Sequence, residues 1–379
     1  MYNIAIDACA KSGKWEHAVA IFDRMKRSED ARPDQRTYVC IVDACGKGEN
    51  WEMAVWYLHD MLNSGIPPHQ YAFNSAISAC AKCGRWKEAL QVFTQMEKAG
   101  VPPGLFSLNS AIDACGKGGE WKMALSLLDN MDKWGLRPDE VSYNAALAAC
   151  GRGGRSDKAM ELLRRMEING IKPGMISFNS AIDACARDAN YEMASKLLQE
   201  MRWSGIEPNN ISFNSAIYAC GQGRESQLAL DLIDEMRGAG LSPDICSFNT
   251  AIAACAREGK WRRALDLLAG MKVENVMPDL LSYNAAIGAC SKAGEWRIGL
   301  ELLAKVRADP VLEPDEMTYG AVINCFQPYV SDNPIVRLSP IVDCDDSLSR
   351  MLSTWTPNAP VDEDNVNSKP RTTEGDEDG

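Results

Sequence analysis

Pro173-Gly174-Met175-Ile176-Ser177-Phe178-Asn179-Ser180-Ala181-Ile182-Asp183-Ala184-Cys185 decides the fold, because variants of it recur along most of the chain. NSAISAC spans 74–80, NSAIDAC spans 109–115 and NSAIYAC spans 214–220. The cysteines of these stretches are Cys9, Cys45, Cys80, Cys115, Cys150, Cys185, Cys220, Cys255 and Cys290, separated by 36 residues once and by 35 thereafter. A proline follows 23 residues later, at Pro68, Pro103, Pro138, Pro173, Pro208, Pro243 and Pro278, with Pro33 and Pro314 one position late. A fixed period of this length marks a repeat architecture, and it takes precedence over any element-by-element reading.

Each period reads as two helices. Phe178, Ala181, Ile182 and Cys185 follow the i, i+3, i+4, i+7 spacing of one apolar helical stripe, and Tyr191, Ala194, Leu198 and Met201 repeat it. Between them lies a turn, usually with glycine, as in Gly116-Lys117-Gly118-Gly119. Gly205 ends the second helix and Pro208 forbids its continuation. One hairpin cannot bury its apolar faces alone, whereas stacked hairpins share a continuous core. The expected fold is therefore all-α, a solenoid of nine full units: 1–34, 35–69, 70–104, 105–139, 140–174, 175–209, 210–244, 245–279 and 280–315. A partial unit, 316–327, follows, in which Cys325 is one residue out of register and Phe326 takes its slot. Met1 stands only two residues before Asn3, so the first helix opens mid-pattern and an upstream end is expected to be missing.

Composition narrows the function classes. Of the net charge of −12, the segment 328–379 carries eleven acidic and four basic residues, a net of −7, which leaves the repeats at −5. That segment is expected to be mostly disordered, with Ile341, Val342, Leu348, Met351, Leu352 and Trp355 able to dock a short capping helix on the last unit. Bulk charge does not advertise nucleic acid. No apolar run spans a membrane, and no signal or transit segment is visible. Equivalent helices of stacked units lie about 8–10 Å apart, beyond the roughly 7 Å Cα limit of a disulfide, so the cysteine column reads as buried free thiols in a reducing compartment. Cys80-Ala81-Lys82-Cys83 lacks the second ligand pair that zinc needs, and His17, His59 and His69 join no nucleophile motif. No metal, cofactor, small-molecule substrate or catalytic group is expected. The columns of Trp, Ala and Met read as core.

Three further columns carry polar or exposed chemistry. Asn stands six residues before the Cys at Asn3, Asn74, Asn109, Asn144, Asn179, Asn214, Asn249 and Asn284, with Val39 as the exception. Asn disfavours a helix interior, and its amide offers both a donor and an acceptor, so a fold-only explanation is weak there. Three residues before the Asn in most repeats, Tyr71, Phe106, Val141, Ile176, Ile211 and Leu281 form an apolar column suited to stacking against bases. Two residues after each Cys stand Lys11, Lys47, Lys82, Lys117, Arg152, Arg187, Gln222, Arg257 and Lys292, basic in eight of nine units. They follow the Asn by eight residues, roughly 80° around and about 12 Å along the helix. A row of cations on one edge suits a phosphate backbone, and cation placement at helix C-termini is the plainer explanation.

A 35-residue helical hairpin opened by Tyr/Phe-Asn and closed by Pro-Asp resembles the pentatricopeptide repeat family, over Met1 to about Gln327. The tetratricopeptide repeat, a peptide-binding adaptor, is the alternative, but its period is 34 and its first helix carries other residues. The resemblance implies a right-handed superhelix that binds single-stranded RNA at about one base per unit, without the zinc deaminase domain that some relatives carry. It implies base readout by the Asn column paired with the residue after the closing proline. The pairs are Asn3/Asp34, Val39/His69, Asn74/Gly104, Asn109/Asp139, Asn144/Gly174, Asn179/Asn209, Asn214/Asp244, Asn249/Asp279 and Asn284/Asp315. Asn/Asp favours U and Asn/Asn favours C in that family. The implied site is U, two open positions, U, one open position, C or U, then U-U-U, the open positions belonging to Val39/His69, Asn74/Gly104 and Asn144/Gly174. The same resemblance implies phosphate contacts from the basic column and other RNA-processing proteins as partners. It also implies a role in RNA processing, stability or translation in chloroplast or mitochondrion. The residue after the proline is in addition a good helix N-cap on residue type alone.

Overall fold

The computed structural model describes residues 2–28 and 31–326. The acidic segment 328–379 and its capping residues lie outside the described residues. Among the described residues there are α-helices and one short 3-10 turn, Met131–Trp134, and no strand. The first helices of the units are Tyr2–Lys11, Gln35–Lys47, Gln70–Lys82, Leu105–Lys117, Glu140–Arg152, Met175–Arg187, Asn210–Gln222, Ile245–Glu258, Leu280–Ala293 and Glu316–Cys325. Second helices such as Trp51–Asn63, Tyr191–Trp203 and Trp261–Val273 alternate with them.

The helix ends explain two of the columns. Ile206 N–H bonds Met201 O at 3.0 Å and Gly205 N–H bonds Arg202 O at 2.9 Å, with Gly205 at φ +76°. This pairing closes the last turn of the second helix around Met201, which is fully buried while Ile206 packs on the same core. The Cys column plays the same part in the first helix: Asn190 N–H bonds Cys185 O at 2.9 Å. The cysteine side chain is thereby directed inward. Cys45, Cys80, Cys115, Cys150, Cys185, Cys220, Cys255 and Cys290 are all buried, and Cys9 in the first unit is half-buried. Burial pushes the Cys185 thiol up to about 12, so it stays protonated and unreactive.

First helices of neighbouring units pack backbone against backbone, whereas second helices stand further apart and meet through long side chains, as Phe22 does with Tyr57 and Lys26 with Asp60. The directly packed row is the shorter one, so the array bends with the first helices on its inner side. Phe178, Ala181, Ile182, Ala184 and Cys185 of one unit merge with Ala194, Leu197, Leu198 and Met201 into a core continuous from unit to unit. The Trp column departs from a fully buried role. Trp86, Trp121 and Tyr191 are half-buried and lie against the turn of the next unit. At Gly153 an added Cβ would stand 2.6 Å from Trp121 Cδ1, so glycine at that turn is required by the indole.

Candidate nucleic-acid interface

The first helices place the chemistry-bearing columns by simple register. Ile176 is the second helical residue of its unit and Asn179 the fifth, three apart and hence on one face. The Asn column therefore sits in the second turn. The apolar column projects into solvent along the inner row: Tyr71, Phe106, Val141, Ile176, Ile211 and Leu281 are 57–65% exposed. Large apolar side chains held this far out in six units are unusual for core-forming helices and mark a contact surface.

The Asn and post-proline columns meet across the unit boundary. Asn109 Nδ2 donates to Asp139 Oδ1 at 3.2 Å, Asn214 to Asp244 at 3.1 Å, and Asn249 to Asp279 at 3.1 Å. Asn3 with Asp34, Asn179 with Asn209 and Asn284 with Asp315 repeat the bond at 3.3, 3.4 and 3.2 Å. Each of these acceptors is also the N-cap of the next helix; Asp244 Oδ1, for example, accepts the Ser247 N–H at 2.9 Å. Capping and side-chain pairing coexist in one residue.

A column overlooked in the sequence completes the arrangement. Thr37, Ser107, Ser142, Ser177, Ser212, Ser247, Ser282 and Thr318 stand two residues before the Asn slot and are fully buried. The Ser247 hydroxyl donates to Asn214 Oδ1 of the preceding unit at 2.6 Å and accepts the Asp244 N–H at 3.1 Å. Ser142 with Asn109 and Ser177 with Asn144 show the same 2.6 Å bond. The signal was present as the S of SFN and SYN, spaced three after the cap as in a capping box. The second unit confirms the coupling by omission. There the Asn slot is Val39, and the residue that would bond it is Ala72. His69 caps instead through Nδ1, which accepts the Tyr71 N–H at 3.2 Å, and its ring stacks on Tyr71 at 5.2 Å. Asn74 differs as well. It is buried at 8% exposure and its Oδ1 has no partner, because the Ser107 hydroxyl turns to Gly104 O at 2.8 Å.

The remaining hydrogen-bonding capacity is small and defined. The Asn oxygen is taken by the hydroxyl and one amide hydrogen by the acceptor of the next unit, which leaves one N–H. The carboxylate stays ionised. Burial raises the Asp139 carboxyl, but the Ser142 N–H and hydroxyl and the Asn109 amide together outweigh it and hold it below its ordinary value. Asp244 and Asp279 behave alike with Ser247 and Ser282. For Asp34 the Thr37 hydroxyl is the largest influence and lowers it. A cleft of about 630 Å³ opens over one such pair, lined among others by Phe106, Val141, Asn109, Asp139, Asn144 and Lys82. It brings together members of all the columns singled out in the sequence.

The basic column is less free than a bare row of cations. Lys11, Lys47, Lys117 and Arg187 each pair with the aspartate four residues earlier, at 2.7–3.2 Å. Lys82, Arg152 and Lys292 donate to main-chain oxygens of Gly46, Gly116 and Arg257, at the end of the preceding first helix. Helix-end capping is thus part of what these residues do. Groups of three or more His, Cys, Asp or Glu able to hold a metal are absent among the described residues. No described helix is long and apolar enough to cross a membrane.

The pentacotripeptide-repeat region of PRORP matches residues 1–171, the PPR repeat family matches 173–222 and 243–292, and the PPR repeat matches 211–241 and 281–309. The chain belongs to the pentatricopeptide repeat family. Among solved structures it is similar to the pentatricopeptide repeat protein PPR10 from maize, at 23% identity and a TM-score of 0.57, over 89% of this chain and 53% of that one. PPR10 in complex with an 18-nt psaJ RNA element aligns at 20% identity and a TM-score of 0.47, over 93% of this chain and 60% of that one. This pentatricopeptide array spans somewhat over half the length of those proteins. No curated protein sequence matches it significantly.

Proposed function

We propose that the protein is a sequence-selective binder of single-stranded RNA, taking about one base per unit and preferring pyrimidines, chiefly uracil. The observation that carries this reading is the recurring Asn–acceptor pair, held by a buried hydroxyl in six units and preceded in four of them by an exposed apolar residue, Phe106, Ile176, Ile211 or Leu281. A base stacked between Phe106 and Val141 would present its edge to Asn109 and Asp139. Set opposite N3, a carboxylate accepts from uracil N3–H and repels the lone pair of cytosine N3. In the sixth unit Asn209 replaces that carboxylate. Its Oδ1 is spent on Asn179 and Ser212 and one amide hydrogen meets Met175 Sδ at 3.2 Å, so the other amide hydrogen is what it offers, which suits an acceptor N3. Stacking would supply roughly 1–3 kcal/mol per base and edge matching the selectivity. Membership of the family supports a role in organellar RNA processing, stability or translation, in chloroplast or mitochondrion, through shielding RNA from nucleases or remodelling it together with other processing proteins.

The test is binding of the protein to U-rich, C-rich and purine oligoribonucleotides over a salt series. The reading expects U-rich RNA to bind tightest, and Asn214→Ala with Asn249→Ala and Asn284→Ala to abolish that preference while helicity is kept. Equal weak binding to all three sequences would overturn it.

A further inference from the structure

Two units end in glycine and so lack the side chain that partners the Asn elsewhere, yet neither place is vacant. Glu140 Oε1 lies 3.1 Å from the point where a Cβ on Gly174 would stand. Gln70 Nε2 lies 2.6 Å from the corresponding point on Gly104. Glu140 and Gln70 are the first helical residues of the same units, four before Asn144 and Asn74. One helical turn separates the two positions, so both side chains rise on the face that carries the Asn. Long polar side chains at this position go with the departures. Gln35, Gln70 and Glu140 precede the pairs Val39/His69, Asn74/Gly104 and Asn144/Gly174, whereas the Asn/Asp units hold Leu105, Ile245 and Leu280, with the short Asn210 as the one polar residue. The reach is defined: Gln35 and Gln70 donate to Pro67 O and Pro102 O, two residues before the post-proline slot, at 3.1 and 3.5 Å.

We propose that Glu140 and Gln70 stand in as base-selecting side chains for the units that Gly174 and Gly104 close, a proposal that rests on the RNA-reading function above. In the fifth unit Ser177 still holds Asn144 Oδ1 at 2.6 Å, so the Asn144 amide is presented as in its neighbours. The Glu140 carboxylate then restores the donor–acceptor pair from within the unit, and the fifth position selects uracil rather than being open. In the third unit Gln70 brings an amide N–H, and the third position favours cytosine over uracil. The glycine is a condition for this. A side chain on Gly174 would meet the Glu140 carboxylate and displace it, and at φ −99° the backbone there accommodates any residue.

The full chain is titrated with RNAs of the implied site in which only the base opposite the fifth unit is varied. Uracil should bind about tenfold tighter than cytosine. Glu140→Gln, which keeps the helix start, and Glu140→Ala should each bring the two bases within about twofold. Gly174→Asp in the Glu140→Gln background should recover the uracil preference. Asn144→Ala is the control for the underlying reading. If Asn144→Ala weakens binding while Glu140→Gln leaves the uracil preference intact, the surrogate role is refuted and base reading stands. If Asn144→Ala changes nothing, base reading at that unit fails and the proposal with it. The matching experiment opposite the third unit uses Gln70→Leu, which should remove a cytosine preference; no preference in the parent protein would refute the assignment for Gln70.

Discussion

Ser247→Ala tests the link between packing and reading directly. Ser247 is fully buried, donates to Asn214 Oδ1 at 2.6 Å and accepts the Asp244 N–H at 3.1 Å. The alanine leaves both groups without a protein partner. A buried polar group so stranded costs about 1–3 kcal/mol, and Asn214 is only half-buried, so a total of about 2 kcal/mol is expected. Global unfolding is a poor readout for a solenoid, whose units need not melt together. Hydrogen exchange of the helix Ile245–Glu258 reports the local opening energy, and about 2 kcal/mol corresponds to roughly thirtyfold less protection. The seventh unit should at the same time lose its base preference, because nothing then orients the Asn214 amide. Adding Asn214→Val removes one stranded group and recreates the Val39 and Ala72 combination that the second unit already carries. The double variant should recover about 1 kcal/mol relative to the sum of the two single changes, well above the few tenths by which independent sites depart from additivity. Additive costs, or a Ser247→Ala protein that still discriminates uracil, would show that the hydroxyl does not position the amide.

Asp113 pairs with Lys117 at 2.8 Å and with Arg152 at 3.6 Å on the exposed edge. Exposed pairs contribute about 0.2–1 kcal/mol, so Asp113→Asn should leave stability nearly unchanged. It should tighten RNA binding two- to fivefold and steepen the salt slope by about 0.7 for each phosphate gained, as read by a salt titration. The aspartates that cap and pair, Asp139, Asp244 and Asp279 among them, have folded pKa values below the unfolded value of about 3.9. Their stabilisation is complete above that unfolded value and is lost as pH falls through the folded values. The denaturation midpoint should therefore drop below about pH 4, and less steeply in Asp244→Asn. Thiol labelling separates the cysteines: exposed Cys83 and Cys246 should react in the folded protein at neutral pH. Cys115, Cys150 and Cys220, buried and pushed up to about 12, should react only on unfolding, as peptide mass mapping would show.

The cysteine that first draws the eye in Pro173–Cys185 is the structural part of the stretch, its carbonyl closing the helix and its thiol filling the core. The period, the two-helix unit and the family were legible in the sequence because they depend on local rules. Apolar spacing, a left-handed residue, usually glycine, after most helices and a proline that breaks the chain act within a few residues of one another. The Asn, apolar and basic columns could be located by the same periodicity. What they touch could not. The Asn109–Asp139 bond joins residues 30 apart, and the Ser142–Asn109 bond joins residues 33 apart, so both exist only once one unit is stacked on the next. Stacking also decides that Lys82, Arg152 and Lys292 reach main-chain oxygens of the preceding first helix, and that the indole of one unit claims the turn of its neighbour. It likewise brings Glu140 to the place left by Gly174, a distance of 34 positions that sequence spacing alone gives no reason to bridge. Local propensity thus determined the repeating unit, while the packing of unit on unit decided which polar atoms are spent inside the protein and which remain to meet a ligand.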